Sequence, residues 1–534
     1  MKINFILPPS HNITGGPLAI LEYANRLIDK GHDVSVTTYP DIWWAGDSPF
    51  PWFEFKGKIH YKQLRRSKRK SYRIPLLPKL FHLVKCVFRA NKIARSISAV
   101  NTCTADDASK LFIQYMIDLG GIPALADLIQ NVGDNKDRFK GTGVESILQD
   151  MLLMQYVLES IPDCDLNIAT LWVTAFPAFL SRKGKPVYFM QHYEEVFYPN
   201  NLSLQKLGAR LSYGLPMYKV ANSSWLKKII LEKCGQDIPF SNNAIVVSDF
   251  GPQEKLSEKD GIIRVVTYSR PEDWKGFGDA VAAMKVIRKK FGDRVEWRVF
   301  GYRNPILPPD NEYFPYTYHP KLSFKELANL YATSDIALCL SWYESFPLPP
   351  LEAMASGTAV ITTAMGTEDY AFDGKNALVV KSRDISAMTD SIEKLITDGV
   401  LRKKLAAEGV KTAESFSWDN AVDAREKILL DIHHNRTSYD INKASFLGFE
   451  DAHGIPFEYA PDDLKVENHT LIKTKNDPRV FLVENNCKRH IDSPQVINDL
   501  GLKWEDLKEI DSLTLFRLPT GSPVYKASDI QSEK

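Results

Sequence analysis

The chain has 534 residues, with 67 Lys and Arg against 66 Asp and Glu, a formal net charge of +1, 44% hydrophobic and 25% charged residues. This is ordinary globular usage; it excludes wholesale disorder, and the length predicts about three domains. No apolar run approaches the roughly 18 residues that cross a bilayer, the opening MKINFILPPSHNITGG is too weak for a secretory leader, and six scattered cysteines without a CxxC pair argue against a disulfide framework or structural zinc, so a cytoplasmic protein is expected.

Ile3–Leu7 reads as a strand, Pro8–Gly16 as a loop ending in Gly15-Gly16, and the residues from Pro17 to Leu27 as a helix that Gly31 closes. Val34–Thr38 is the next strand. In such βαβ units ligands bind at the carboxyl ends of strands, which makes Gly16 a candidate contact; a tight turn is the other reading, and the GxGxxG fingerprint is absent. Residues 55–105 hold 14 of the 67 basic residues and no acid, leaving 53 basic against 66 acidic residues elsewhere. Within this segment KLFHLVKCVFRANKIARSI has helical periodicity, with Lys85, Arg89 and Lys92 on one face. A basic amphipathic helix of this kind suits an anionic membrane surface, and equally a packed helix with a solvated face. Nucleic acid is disfavoured, because interleaved aromatics and a binding motif are lacking.

Residues 110–160 look helical. Leu166–Thr170 is a strand leading to a helix near Thr174–Leu180, and Val187–Met190 is a strand that puts Gln191, His192, Glu194 and Glu195 at its carboxyl end. A helix begins at Ser223 or Ser224 and closes at Gly235. After a break near 240–260 the alternation resumes with IIRVVTYS, VEWRVFG, IALCLS and TAVITT as strands between helical segments, and SWDNAVDAREKILLDIHHN ends it as a long helix. The expected fold is α/β, with two doubly wound parallel-sheet, Rossmann-like domains and a ligand in the cleft between them. The boundaries are 1–250, 251–435, a linker at 436–468, and a small C-terminal α+β module at 469–530.

Two elements carry chemistry. In SWYESFPLPPLEAMASG, Glu344 and Glu352 flank a helix start behind a strand, with Ser345, Phe346 and Leu348 as the available N–H donors, since Pro347, Pro349 and Pro350 have none. Beside a phosphate a carboxylate is repulsive, so each Glu would accept from sugar hydroxyls; Glu352 as a mere complement to the helix dipole is the alternative. In YSRPEDWKGF, Arg270 and Lys275 stand just past a strand, suited to clamping a diphosphate, or else two surface cations on a turn.

These two elements, in this order and spacing, resemble the retaining glycosyltransferases of family 4, which have the GT-B fold: Glu344 and Glu352 match its E-x7-E, and Arg270, Lys275 and Gly276 its Arg–x4–Lys–Gly. Gly15-Gly16 matches its glycine loop. ATLWVTAFP and MQHYEEVFYP are further similar to bacterial rhamnosyltransferases of the WsaF type, with His192 where an Asp is usual. VFLVENNCKRHIDSPQVINDLGLKWEDLKEI resembles a small module appended to bacterial surface-related proteins. The resemblance implies Arg270 and Lys275 on the departing diphosphate, Glu344 on the donor sugar, Glu352 on the ribose, and His192 positioning acceptor or sugar; a histidine simply hydrogen-bonded at the strand end is the other reading. It implies no cofactor and no metal. Asp163-Cys-Asp165 looks like the DxD of metal-dependent glycosyltransferases, but Asp165 opens a strand as Asp335 does. His433-His434 is read as a solvated helix end and Trp504 as a core anchor of the small module, with a sugar-stacking platform as the other reading.

The expected function is transfer of L-rhamnose from dTDP-β-L-rhamnose to a bacterial surface polysaccharide, on a lipid-linked acceptor at the cytoplasmic face of an anionic membrane. The alternatives are a nucleotide-sugar epimerase or hydrolase of the same fold and a non-catalytic glycan-binding protein.

Overall fold

The computed structural model describes residues 1–10, 15–39, 48–61, 150–198 apart from 151, 152 and 155, 204–437 apart from 306, 308–312 and 321, 466–525 apart from 476 and 522, and residues 441 and 530. Two compact units emerge, one of residues 1–243 with 421–452, the other of 244–420 with 453–534.

The first unit holds a sheet of β1 (Lys2–Ile6), β2 (Asp33–Thr37), β3 (Lys58–His60), β4 (Leu166–Ala169), β5 (Lys185–Met190) and β6 (Tyr218–Ala221) in the order β3-β2-β1-β4-β5-β6. Every pairing is parallel. Helices α1 (Gly15–Asp29), α2 (Trp172–Leu180) and α3 (Leu204–Tyr213) cross between strands, and α4 (Ser224–Cys234) follows β6. α4 starts where its sequence demands: Ser223 Oγ accepts the Leu226 N–H at 3.2 Å, and Gly235, at φ 65°, takes the left-handed closing position.

The second unit repeats the plan. Its strands are β7 (Ile263–Ser269), β8 (Val295–Gly301), β9 (Tyr316–Pro320), β10 (Ile336–Cys339), β11 (Ala359–Thr363) and β12 (Leu378–Val380), ordered β12-β11-β10-β7-β8-β9 and all parallel. Alternate residues feed two cores. Val265, Ile336 and Leu338 pack with Ala280, Met284 and Ile287 of α5 (Phe277–Phe291), whereas Val266 and Ala337 pack with Leu351 and Met354 on the other face. Burial on both faces is why these strands read as continuous apolar runs. α6 (Phe324–Ala332), α7 (Leu348–Ala355), α8 (Ile385–Thr397) and α9 (Gly399–Glu414) complete the layers. α10 (Trp418–His433) follows, and from Ala421 onward it counts with the first unit. There its Arg425 lies over the rings of Tyr23 and Phe189, at 4.1 and 3.5 Å from their centroids.

Both sheets therefore have the Rossmann strand order, with the reversal of direction falling between β1 and β4 in one and between β7 and β10 in the other. Both seal that junction with the same device. Asp165, just ahead of β4, accepts the Lys2 N–H at 2.7 Å and donates its own N–H to Lys2 O at 2.8 Å. Asp335, ahead of β10, does the same with Arg264, at 2.8 Å each way. Asp165 is thus occupied by the fold, and among the described residues no group of His, Cys, Asp and Glu could hold a metal.

The C-terminal module is a sheet of β13 (Leu471–Thr474), β14 (Asp477–Glu484), β15 (Cys487–His490) and β16 (Lys508–Glu509), ordered β15-β14-β13-β16, with short helices α11 (Pro494–Asp499) and α12 (Ser512–Arg517). Its own core is two small clusters, one built on Leu471, Leu482, Ile491, Val496, Ile497 and Val524, the other on Ile472, Phe481, Val483, Leu515 and Leu518. It does not stand alone: Leu513 and Phe516 of α12 pack onto the α5 core of the second unit. Trp504 is 46% exposed, which corrects its reading as a core anchor; it sits in a one-turn helix with no buried residue. Most of residues 436–468 lies outside the described residues, as do Lys85, Arg89 and Lys92. No helix among the described residues is long and apolar enough to cross a membrane.

Candidate active site

The two motifs of the second unit converge on the junction of β7 and β10. Behind β7 the chain makes a one-turn helix, Asp273–Lys275, and enters α5 through Gly276 at φ 72°. A Cβ at Gly276 would sit 1.9 Å from the carbonyl oxygen of Leu340, behind β10, so only glycine lets the loops touch. Trp342 N–H donates to Trp274 O at 2.7 Å, and the rings of Trp274 and Tyr343 stack with centroids 5.9 Å apart.

Across this seam Lys275 Nζ meets Glu344 Oε1 at 2.5 Å, with 22% and 13% of the two side chains exposed. Arg270 Nε donates to the hydroxyl of Tyr268, whose ring lies 5.5 Å below the guanidinium. Tyr268 also feels the charges of Glu344 and Glu352, which places all of these groups at one end of the sheet. Glu352 differs from its neighbours: its carboxylate has no hydrogen bond or ion pair among the described residues, and burial pushes it up to about 7. An unpartnered, half-buried carboxylate is costly unless something donates to it.

α7 begins at Leu348, so Glu352 is its fifth residue, one turn in rather than in the first turn. The reason is local, because Pro349 and Pro350 fit early helical positions whose N–H groups lack partners anyway. The same prolines leave only Leu348 and Leu351 with an N–H in the first four residues, which thins the helix terminus as an anion site. Ser345 is 1% exposed, and the Phe346 ring is core, against Tyr370 and Phe416. Their side chains are structural, and only their backbone is available for a ligand.

The sequence reading passed over several contributors. Gly366, behind β11, is at φ 87°, and a Cβ there would be 2.2 Å from Glu344 O, so the GTED turn braces the Glu344 backbone. Trp342 Nε1 donates to Asp279 at 2.6 Å and its ring lies 4.3 Å beneath the Arg383 guanidinium. A glycine three residues past the strand TAVITT was the available signal for Gly366. Nothing local marked Asp279.

Gly16 and His192 belong to the first unit. Gly16 is the second residue of α1, and a Cβ there would make ordinary contact with the Gln191 amide at 3.5 Å, so this glycine is not sterically required. His192 follows β5 with its ring 4.9 Å from Phe197 and 6.0 Å from Trp225. The next two acids turn inward. Glu194, 1% exposed, accepts from Trp172 N–H at 2.6 Å and Tyr188 hydroxyl at 2.7 Å, and burial holds its carboxyl at about 8. Glu195, 2% exposed, accepts from Tyr193 hydroxyl and from Arg210, at 2.7 and 2.8 Å.

Residues 252–412 match the family described as glycosyl transferases group 1. O-antigen biosynthesis protein RfbC of Myxococcus xanthus is 27% identical over 285 residues, 51% of this chain and 21% of that protein. D-inositol 3-phosphate glycosyltransferase of Arthrobacter sp. (strain FB24) is 30% identical over 146 residues, 27% of this chain and 32% of that protein. The chain thus spans about a fifth to a third of the length of these curated relatives. Sucrose-phosphate synthase from Thermosynechococcus elongatus shares the fold, with a TM-score of 0.52 and 14% identity over 81% of this chain and 99% of that one. The Arg270–Lys275 and Glu344–Glu352 elements both lie inside the segment that resembles glycosyl transferases group 1, and the two Rossmann-like sheets have the GT-B fold.

Proposed function

We propose that the chain is a retaining glycosyltransferase that moves a sugar, L-rhamnose from dTDP-β-L-rhamnose, onto a bacterial surface polysaccharide. The observation that carries the reading is the meeting of Lys275, Glu344, Arg270 and Glu352 at the β7/β10 junction, where open parallel sheets bind nucleotides. The RfbC likeness supports a surface-glycan acceptor. The rhamnosyl choice rests on the ATLWVTAFP and MQHYEEVFYP segments.

In the proposed reaction the acceptor hydroxyl attacks the anomeric carbon on the face the diphosphate leaves. The carbon–oxygen bond to phosphate breaks, and the acceptor proton passes to the departing phosphate oxygen. Arg270 and Lys275 stabilise the charge growing there; a preorganised donor of this kind contributes about 2.7–4 kcal/mol. Lys275 turns to the diphosphate from its resting partner Glu344, whose carboxylate then accepts from sugar hydroxyls. Glu352 takes the ribose hydroxyls, which supply the donors its carboxylate lacks. Gly16 and the backbone of Ser345, Phe346 and Leu348 serve the donor, and the His192 ring the acceptor or the sugar. The reaction needs no metal in this scheme. A lipid-linked acceptor and contact of Lys85, Arg89 and Lys92 with an anionic membrane rest on the sequence alone.

A thermal-shift screen with dTDP, UDP and GDP tests the reading. Stabilisation by dTDP above the others supports a thymidine donor; equal indifference to all three contradicts a nucleotide-sugar site.

A further inference from the structure

We propose that Arg517, in the C-terminal module, is a positioning residue for the donor site, acting through Asp279 and Trp342 on the two loops that carry Lys275 and Glu344. This rests on the nucleotide-sugar reading of that site.

The contacts fall on both loops at once. Arg517 Nε donates to Asp279 Oδ1 at 3.2 Å, with 6% and 1% of the two side chains exposed. The other oxygen, Asp279 Oδ2, accepts Trp342 Nε1 at 2.6 Å. Asp279 lies four residues beyond Lys275, and Trp342 two residues before Glu344. One buried carboxylate therefore ties the Lys275 loop, the Glu344 loop and the module together. A second tie is independent: Thr520 N–H donates to Asp273 Oδ2 at 2.6 Å, in the turn that ends at Lys275. The module's side chains pack close as well, since a Cβ at Gly278 would meet Arg517 Cγ and Phe516 Cδ1 at 3.4 Å.

A module that merely stuck to the domain could use any face of α5. This one grips the turn ahead of α5 and, through Asp279, the loop behind β10. Lys275 and Glu344 are 69 residues apart in sequence, and their 2.5 Å approach depends on how those loops are held. Positioning of this order matters because misplacement by about 1 Å can cost about 100-fold in rate.

The test uses the full-length chain. Arg517→Ala, Arg517→Lys and Asp273→Ala are compared with wild type for melting temperature, for affinity toward whichever of dTDP, UDP and GDP wild type binds, and for donor KM and kcat on the corresponding sugar, below the melting transition. The expected result is a fall of at least 10-fold in kcat/KM for the donor in Arg517→Ala, recovered to within about 3-fold by Arg517→Lys, and a smaller loss in Asp273→Ala. Should Arg517→Ala not fold, Asp273→Ala carries the test by itself. A lower melting temperature with unchanged donor kinetics and nucleotide affinity assigns the module a structural role only and overturns the proposal. Wild type binding none of the three nucleotides removes the underlying reading instead.

Discussion

The carboxyl ends of the two sheets both present acids and treat them in opposite ways. Behind β5, Glu194 and Glu195 are almost wholly buried and answered by hydroxyls, a backbone N–H and Arg210. Behind β10, Glu344 keeps some exposure beside Lys275, and Glu352 has no partner among the described residues. A strand-end position alone therefore does not mark a functional acid. Under the proposed function, Glu344, ion-paired yet 13% exposed, and Glu352 would accept from a ligand's hydroxyls, whereas Glu194 and Glu195 are closed off by the fold.

That contrast can be broken most sharply at Lys275. Lys275→Ala should lower donor turnover by about 10²–10³-fold while the chain stays folded, as loss of one transition-state donor does. Steady-state rates with a circular-dichroism control check it, and full activity would put Lys275 among the merely structural groups. The glycine turns come next. Gly276→Ala must move a Cβ off the Leu340 carbonyl at positive φ, with an expected loss of about 3 kcal/mol or more in denaturant unfolding. Gly16→Ala meets Gln191 at an ordinary distance and should change stability by less than about 0.5 kcal/mol.

Half-buried Glu352 and buried Glu194 separate by pH. Glu352 has its folded carboxyl at about 7, above the ordinary 4.5. Between those values the folded state holds a proton that the unfolded chain has lost, so ligand-free stability falls as pH rises through the window. Glu352→Gln should abolish that fall, by up to about 3 kcal/mol above pH 7, while weakening nucleotide affinity. Glu194 obeys the same sign with its window reaching about 8. Glu194→Gln can keep the Trp172 N–H and donate to the Tyr188 hydroxyl, so it should flatten stability in the alkaline range with nucleotide affinity unchanged. Urea melts at pH 5, 7 and 9 with parallel nucleotide titrations separate the cases.

Much of the molecule was legible from residue pattern. The inner strands read as apolar runs because both of their faces are buried, and the Ser223 and Gly235 ends of α4 announced themselves through side-chain chemistry. The strands that escaped notice are β3, β6, β9 and β12, which are the four edges of the two sheets. An edge strand has a neighbour on one side only, and Tyr218-Lys219-Val220-Ala221 or Tyr316–Pro320 carries too much polarity to stand out. α8 and α9 were missed beside β12. At the site, the cations and acids were visible as motifs placed behind strands, but Lys275 pairing with Glu344 was not, nor was Asp279 binding Trp342 and Arg517. Those partners are 69, 63 and 238 residues apart, and only the fold brings them together.

The central claim is that the β7/β10 junction binds a nucleoside diphosphate through its cations. Calorimetric titration of dTDP, UDP and GDP into wild type and into the Arg270→Ala, Lys275→Ala double variant tests it most directly. One nucleotide should bind wild type and lose at least 10-fold in affinity in the double variant, with its melting temperature preserved. Equal affinity in both proteins would contradict the assignment.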